Sequence, residues 1–113
     1  MTTYDKIYIN GAWVPSQGKG VLEVTNSATE EIIATIPDGT AGDVDKAVAA
    51  ARAAFPAWSN LPKETRAEYL MKIYAGLEER TQEIAEAIAR EVGMPVGMST
   101  MIQVGLPKGN FAI

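Results

Sequence analysis

The 113-residue sequence contains neither cysteine nor histidine. Without cysteine it offers no disulfide, no thiolate nucleophile and no zinc site built from thiolates. Without histidine it lacks the most common general base and the most common transition-metal ligand. Any chemistry performed by these residues must therefore use Asp, Glu, Lys, Tyr, Ser or Thr side chains.

Clustered positive charge and long apolar runs are absent as well. The 10 basic residues are scattered among 14 acidic ones, and the net charge is -4. A phosphate-backbone binder needs clustered Lys and Arg, so we expect no nucleic-acid partner. The first residues do not resemble a signal peptide, and no apolar run reaches the roughly 18 residues of a membrane span. We therefore expect a cytoplasmic protein with no membrane partner.

The first 40 residues carry the signals of strands and turns. Asn10-Gly11, between short apolar runs, predicts a two-residue β-hairpin because both residues accept positive φ angles. Residues 21–25 and 31–37 predict a second pair of strands. The segment "PSQGKG" between the two pairs predicts a flexible loop.

Helical periodicity begins after Thr40, which with Asp43 resembles a capping box. A first helix is predicted up to Pro56, which should end the helix or kink its last turn. A second helix is predicted from Pro62, and a third over residues 81–91 before Gly93. One apolar face of the first helix consists of Val44, Ala47, Val48, Ala51, Phe55 and Trp58.

Glu91 is the one carboxylate with an unusual setting. Most helical glutamates fall between apolar positions and indicate a solvated surface, whereas Glu91 lies at a helix end beside Gly93 and Pro95. A carboxylate with neighbouring turn carbonyls can bind a hard cation through oxygen ligands. A structural role without any ligand is the simpler interpretation, and both remain open at this point.

No other motif predicts a catalytic or cofactor-binding residue. "GKGVLE" has only the first two glycines of G-x-G-x-x-G and leads into a strand, so it does not predict a dinucleotide loop. From the residues alone, the sequence predicts an α/β protein without an identifiable catalytic site.

Three phrases in combination resemble the N-terminal part of the NAD(P)-dependent aldehyde dehydrogenases. "YINGAWV" is similar to the opening hairpin of that family, and "LEVTNSATEEIIATIPDGTAGDVDKAVAAARAAFPAW" is similar to its next strands and helix. "LPKETRAEYLMKIYAGLEERTQEIAEAIAREVGMP" resembles the following helices, which close on E-x-G-x-P. The resemblance covers residues 4–95 and continues less distinctively through "QVGLPKGNFAI".

The resemblance implies an incomplete part of the aldehyde dehydrogenase fold, of class α/β, with N-terminal β-hairpins followed by amphipathic helices. Residues 1–95 are expected to pack on a cofactor-binding domain, and residues 96–113 to begin a further, truncated segment. That segment contains a single charge, Lys108, which fits an environment of protein rather than water.

The resemblance further implies an oxidoreductase that converts an aldehyde to a carboxylic acid with NAD or NADP, as a homo-oligomer. The family's cysteine nucleophile, its glutamate base in an E-L-G-G-type motif and its cofactor-binding G-x-x-x-x-G have no match here. We therefore expect a fragment that serves as inactive scaffold. The alternative is a non-enzymatic helical interaction module that docks on a partner.

A monovalent cation site is also implied by the resemblance. In many members of the family, backbone carbonyls at the end of a strand and an acidic side chain of the E-x-G-x-P segment bind the cation. The matching positions in this sequence are Val24, Thr25 and Glu91.

Overall fold

A computed structural model describes residues 1–112, which form two compact units. The first unit contains Met1–Thr25 and Glu31–Asn60. The second contains Asn26–Glu30 and the chain from Leu61 onward. The short turn at residues 26–30 thus belongs with the helical unit, although it connects two strands of the first unit. No helix among the described residues is long and apolar enough to span a bilayer.

The first unit contains five short strands in two sheets. They are β1 (Thr2–Thr3), β2 (Ile7–Ile9), β3 (Ala12–Val14), β4 (Val21–Thr25) and β5 (Ile32–Pro37). Strand β5 lies between β1, which is parallel to it, and β4, which is antiparallel. Strands β2 and β3 form a separate antiparallel ribbon. Both predicted strand pairs are confirmed, whereas the two-residue β1 was not predicted.

The β2–β3 hairpin has the geometry that its sequence predicts. Asn10 and Gly11 have φ angles of 55° and 77°, the two positive values that a type I′ turn requires. Tyr8 pairs directly with Trp13 across the strands, and their rings meet edge to face at 5.2 Å. Such aromatic cross-strand pairs stabilise a hairpin beyond its backbone hydrogen bonds.

Helix α1 (Ala41–Ser59) begins at the predicted capping box. The Asp43 N–H donates to Thr40 Oγ1 at 3.2 Å, and the Thr40 N–H donates to Asp43 Oδ2 at 2.9 Å. These bonds satisfy donors that have no partner inside the helix. Pro56 does not end the helix, which continues to Ser59.

The segment Pro15–Gly20, predicted as a flexible loop, is a loop that is hydrogen-bonded to the start of α1. Ser16 Oγ donates to Asp43 Oδ2 at 2.5 Å, and the Gln17 N–H donates to Asp43 Oδ1 at 2.9 Å. Asp43 is only 5% exposed. The Ser16 hydroxyl, followed by the Thr40 and Gln17 N–H groups, lowers the pKa of Asp43 from 3.8 to about 2. The loop itself was predicted, whereas its bonds to Asp43 were not, because they span 26 and 27 positions in sequence.

The apolar face predicted for α1 is present but uncovered. Val44 is 59% exposed and Phe55 is 63% exposed, and Val48 between them is also largely exposed. The predicted helix is therefore confirmed, and its apolar face is exposed in the first unit.

The second unit consists of helices. They are α2 (Lys63–Glu79), α3 (Thr81–Val92), α4 (Val96–Met98) and α5 (Gly105–Gly109), with a π-helical segment, Ser99–Val104, between α4 and α5. Among the described residues, the buried apolar side chains are Ala85 of α3 and Val104 of the π-helical segment. Lys108 Nζ donates to the Glu78 carboxylate and lies 5.7 Å from the Tyr74 ring centroid, which ties α5 to α2.

Gly93 ends α3 as predicted. Its φ angle is 77°, in the left-handed region, and its N–H donates to the Ala89 carbonyl at 2.9 Å. A left-handed glycine is the common way to end a helix, because a side chain is disfavoured in that conformation.

We predict that Asp43→Asn destabilises the chain at neutral pH, because an amide replaces a carboxylate that accepts from three donors. The pKa of Asp43 is lower in the folded chain, so the unfolded chain binds the proton first as pH falls. The contribution is complete above about pH 4 and disappears toward pH 2. Urea unfolding followed by circular dichroism should show wild type and variant converging over that range.

Asp45→Asn is the matched control, because Asp45 is an exposed carboxylate in the same helix. Its unfolding free energy should stay close to that of wild type at every pH. Equal effects of the two substitutions at neutral pH would contradict the role assigned to Asp43.

A second prediction concerns the end of α3. Gly93→Ala should lower the unfolding free energy by about 1–2 kcal/mol, because the left-handed conformation is unfavourable for a residue with a Cβ atom. Gly97→Ala is the control, since Gly97 has no positive φ and a Cβ there meets no atom within 4 Å. That change should be neutral or stabilise the chain by up to about 1 kcal/mol. Equal losses in urea unfolding would argue against a left-handed cap.

Candidate functional site

The turn at Asn26–Glu30 is held by hydrogen bonds of its first residue. Asn26 Oδ1 accepts from the N–H groups of Ala28 at 2.9 Å and Thr29 at 3.1 Å. The Asn26 carbonyl accepts from the Glu30 N–H at 2.8 Å, and Glu30 has a positive φ of 63°. An asparagine that bonds to backbone N–H groups two and three residues later fixes a tight turn.

Ser27 joins this turn to the end of α3. Its N–H donates to the Arg90 carbonyl at 2.9 Å, and its hydroxyl donates to the Glu91 carbonyl. The last carbonyls of a helix have no partner within the helix. One residue of the turn therefore satisfies two of them, while Gly93 satisfies a third at Ala89.

The three predicted cation ligands occupy ends of secondary structure. Val24 and Thr25 are the last residues of β4, in the first unit, and the pairing of β4 with β5 changes register between them. Val24 is half-buried and Thr25 is exposed. Glu91 is an exposed residue in the last turn of α3, in the second unit. The assignment of these three residues to one site stays a prediction.

The Glu91 carboxylate offers oxygen atoms of the kind that bind hard cations. Within residues 1–112, the Glu91 carboxylate makes no hydrogen bond or ion pair, so its oxygens are available. The described part of the chain contains no group of three or more Asp, Glu, His or Cys side chains suited to a metal ion. One carboxylate with backbone carbonyls carries little negative charge, which suits a singly charged ion better than Ca²⁺. The negative end of the α3 dipole also favours a cation nearby.

Sequence patterns single out Glu91 as a candidate, which stays a prediction, but they do not indicate Ser27. The Ser27 hydroxyl and the carbonyl that it binds are 64 positions apart. A serine within a predicted turn indicates a local hydrogen bond, and nothing in the sequence pattern relates it to a helix end so far away.

The family model described as "Aldehyde dehydrogenase family" matches residues 13–109. The chain is 42% identical over 107 residues to 3-succinoylsemialdehyde-pyridine dehydrogenase of a Pseudomonas species, covering 95% of this chain and 21% of the relative. It is 46% identical over 87 residues to lactaldehyde dehydrogenase of Escherichia coli, covering 77% of this chain and 18% of the relative.

Solved structures show the same similarity. An aldehyde dehydrogenase from Bartonella henselae superposes with a TM-score of 0.93 at 32% identity, over 98% of this chain and 23% of the other. A second structure is a mutant of aldehyde dehydrogenase C from Pseudomonas syringae in complex with NAD+ and octanal. It superposes with a TM-score of 0.91 at 40% identity, over 95% of this chain and 22% of the other. These superpositions confirm the α/β class and the expected resemblance.

The chain spans about a fifth of the length of the relatives that it matches. The match nevertheless covers residues 13–109 of this chain, from within β3 to the end of α5. On these grounds, the chain belongs to the aldehyde dehydrogenase family.

Proposed function

We propose that this chain forms the N-terminal structural part of an NAD(P)-dependent aldehyde dehydrogenase and supplies packing surface rather than catalytic groups. The family match over residues 13–109, in a sequence without cysteine, carries the proposal. A thiolate nucleophile, which attacks the aldehyde carbonyl in this family, is therefore supplied outside these residues.

The uncovered apolar side chains support a packing role in each unit. The first unit presents Val44, Val48 and Phe55 on α1, and the second presents Met101 and Leu106 near the end of the described chain. Large exposed apolar patches mark surfaces that contact another polypeptide. Under this proposal, residues 1–95 pack on the cofactor-binding domain, and residues 96–113 begin the next segment of the fold.

The names of similar proteins support the reaction class. The aldehyde dehydrogenase C structure from Pseudomonas syringae is a complex with NAD+. A structure of the similar protein PnpE is a complex with nicotinamide adenine dinucleotide. The names of three relatives specify a pyridine semialdehyde, malonate semialdehyde and lactaldehyde as substrates, and all three compounds carry an aldehyde group. We therefore assign the complete enzyme the oxidation of an aldehyde to a carboxylic acid with an NAD-type cofactor. A cytoplasmic location and a homo-oligomeric state remain predictions.

A monovalent cation is the second part of the proposal. The Val24 and Thr25 carbonyls and the Glu91 carboxylate are assigned as its ligands, with K+ as the test ion. The support is the available Glu91 carboxylate at the negative end of α3 and the oxygen-only chemistry of the three residues.

A chimera tests the packing role. Residues 1–113 replace the matched segment of Escherichia coli lactaldehyde dehydrogenase, and formation of NADH from lactaldehyde is measured by absorbance. We expect turnover by the chimera and none by the isolated chain with NAD+ or NADP+. A soluble but inactive chimera, assayed beside the active parent enzyme, would contradict the proposal, as would turnover by the isolated chain.

A pair of substitutions in the chimera tests the α1 face itself. Val48→Asp places a charge on the apolar face. It should lower NADH formation by the soluble chimera by at least about tenfold, because burying an unpaired charge is costly. Ala53→Asp introduces the same charge on the opposite side of α1, at an exposed position, and should leave activity nearly unchanged. Equal effects of the two substitutions would show that this face is not covered in the chimera.

A further inference from the structure

We propose that Asn10 is a site of spontaneous deamidation, and that opening of the β2–β3 hairpin sets the rate of this modification. The reaction needs only the chain itself and water. All the groups that take part belong to the first unit.

The tip of the hairpin presents the two groups that react. Asn10 and Gly11 are both exposed. Within residues 1–112, neither the Asn10 side chain nor the Gly11 N–H makes a hydrogen bond. A Cβ atom placed on Gly11 would meet no atom within 4 Å, so the space beside this residue is open. Because glycine has no side chain, its amide nitrogen is also the least hindered one that a following residue can offer.

Deamidation begins when the Gly11 nitrogen forms a bond to Asn10 Cγ. The Cγ–Nδ2 bond breaks, and Nδ2 leaves as ammonia together with the proton of the Gly11 N–H. Water then opens the resulting succinimide ring at one of its two carbonyl carbons. Opening at Cγ gives aspartate, whereas opening at the main-chain carbonyl carbon gives isoaspartate, in which the main chain runs through Cγ. No oxidant or reductant takes part.

The closed turn keeps the reacting atoms apart. The ring can form only when the Gly11 nitrogen lies on the same side of the Asn10 Cα–C bond as Cβ. The φ angles of Asn10 and Gly11, 55° and 77°, are those of a type I′ turn, whose first central residue has a ψ angle of roughly +30°. For an L-residue, this ψ angle places the following nitrogen nearly opposite Cβ. The hairpin must therefore open before the ring can close.

The stability of the hairpin consequently controls the modification. When closing is fast relative to the chemical step, modification of an open state follows the equilibrium population of that state. The rings of Tyr8 and Trp13, whose centroids are 5.2 Å apart, stabilise the closed form. Isoaspartate adds a carbon atom to the main chain of the two-residue turn, so the strands can no longer meet in the register that pairs these rings. Deamidation thus makes a reversible opening permanent.

The test measures deamidation of the purified full chain during incubation in mildly alkaline buffer. Trypsin releases residues 7–19 as a peptide in which Asn10 is the only asparagine. Chromatography and mass spectrometry then quantify its aspartate and isoaspartate forms. We expect Asn10 to be lost at least about tenfold faster when urea is added, because urea opens the hairpin. In urea, Asn10 should also be lost before the other asparagines, which are not followed by glycine: Asn26, Asn60 and Asn110.

A pair of substitutions tests the control by the hairpin without urea. Trp13→Ala removes one ring of the cross-strand pair and should speed deamidation of Asn10 by about two- to tenfold. Tyr69→Ala is the matched control, because it removes an exposed aromatic ring from α2, in the other unit. Its rate should equal that of wild type. Tyr8→Leu, which removes the other ring of the pair, replaces Trp13→Ala if circular dichroism shows that Trp13→Ala has lost its helices.

The outcomes separate the site from its control. Survival of Asn10 in urea, or its loss after another asparagine there, would overturn the assignment of the site. Equal rates with and without urea would overturn the control by hairpin opening, as would a wild-type rate in the folded ring variant. Faster loss in the native chain than in urea would show that the closed turn promotes the reaction, which contradicts the proposal.

Discussion

Scarcity of buried apolar surface is the constraint on which the rest of this structure depends. In the described second unit, Ala85 and Val104 are the buried apolar side chains, and the buried residue of the first unit is the acidic Asp43. Local order is therefore provided largely by hydrogen bonds at element ends: the capping box of α1, the Asn26 turn and the Ser27 contacts to α3. Each such bond contributes only about 1 kcal/mol, which is why the packing surface assigned under the proposed function matters for stability.

Features encoded by neighbouring residues were predictable. Asn10-Gly11 determined the first hairpin, Thr40 with Asp43 began α1, and Gly93 ended α3, because in each case the conformation follows from residues within one turn. Features that depend on distant partners were not predictable. The sequence of segment 15–20 indicates a loop but not its bonds to Asp43, which span 26 and 27 positions.

The candidate site shows the same division between local and distant information. Glu91 is a candidate because a carboxylate at a glycine-terminated helix end is a local sequence pattern. Val24 and Thr25 were assigned only from the resemblance to the aldehyde dehydrogenase family. The role of Ser27 was not predictable because its hydrogen-bond partners, Arg90 and Glu91, are more than 60 positions further along the sequence. The apolar face of α1 was similarly only partly predictable, because the helical period follows from neighbouring residues, whereas the exposure of the face depends on how other elements pack.

The turn at Asn26–Glu30 also imposes an order in time on a chain made from its N-terminus. The β4 and β5 strands that flank it are complete by Pro37, so their hairpin can pair early. The hydrogen bonds of Ser27 must wait for Arg90 and Glu91 to be synthesised, and closing so long a loop costs more entropy than closing the hairpin. Until those residues are present, Ser27 has neither of its partners on α3. The residue that caps α3 is therefore synthesised 64 positions ahead of the Glu91 carbonyl that it binds.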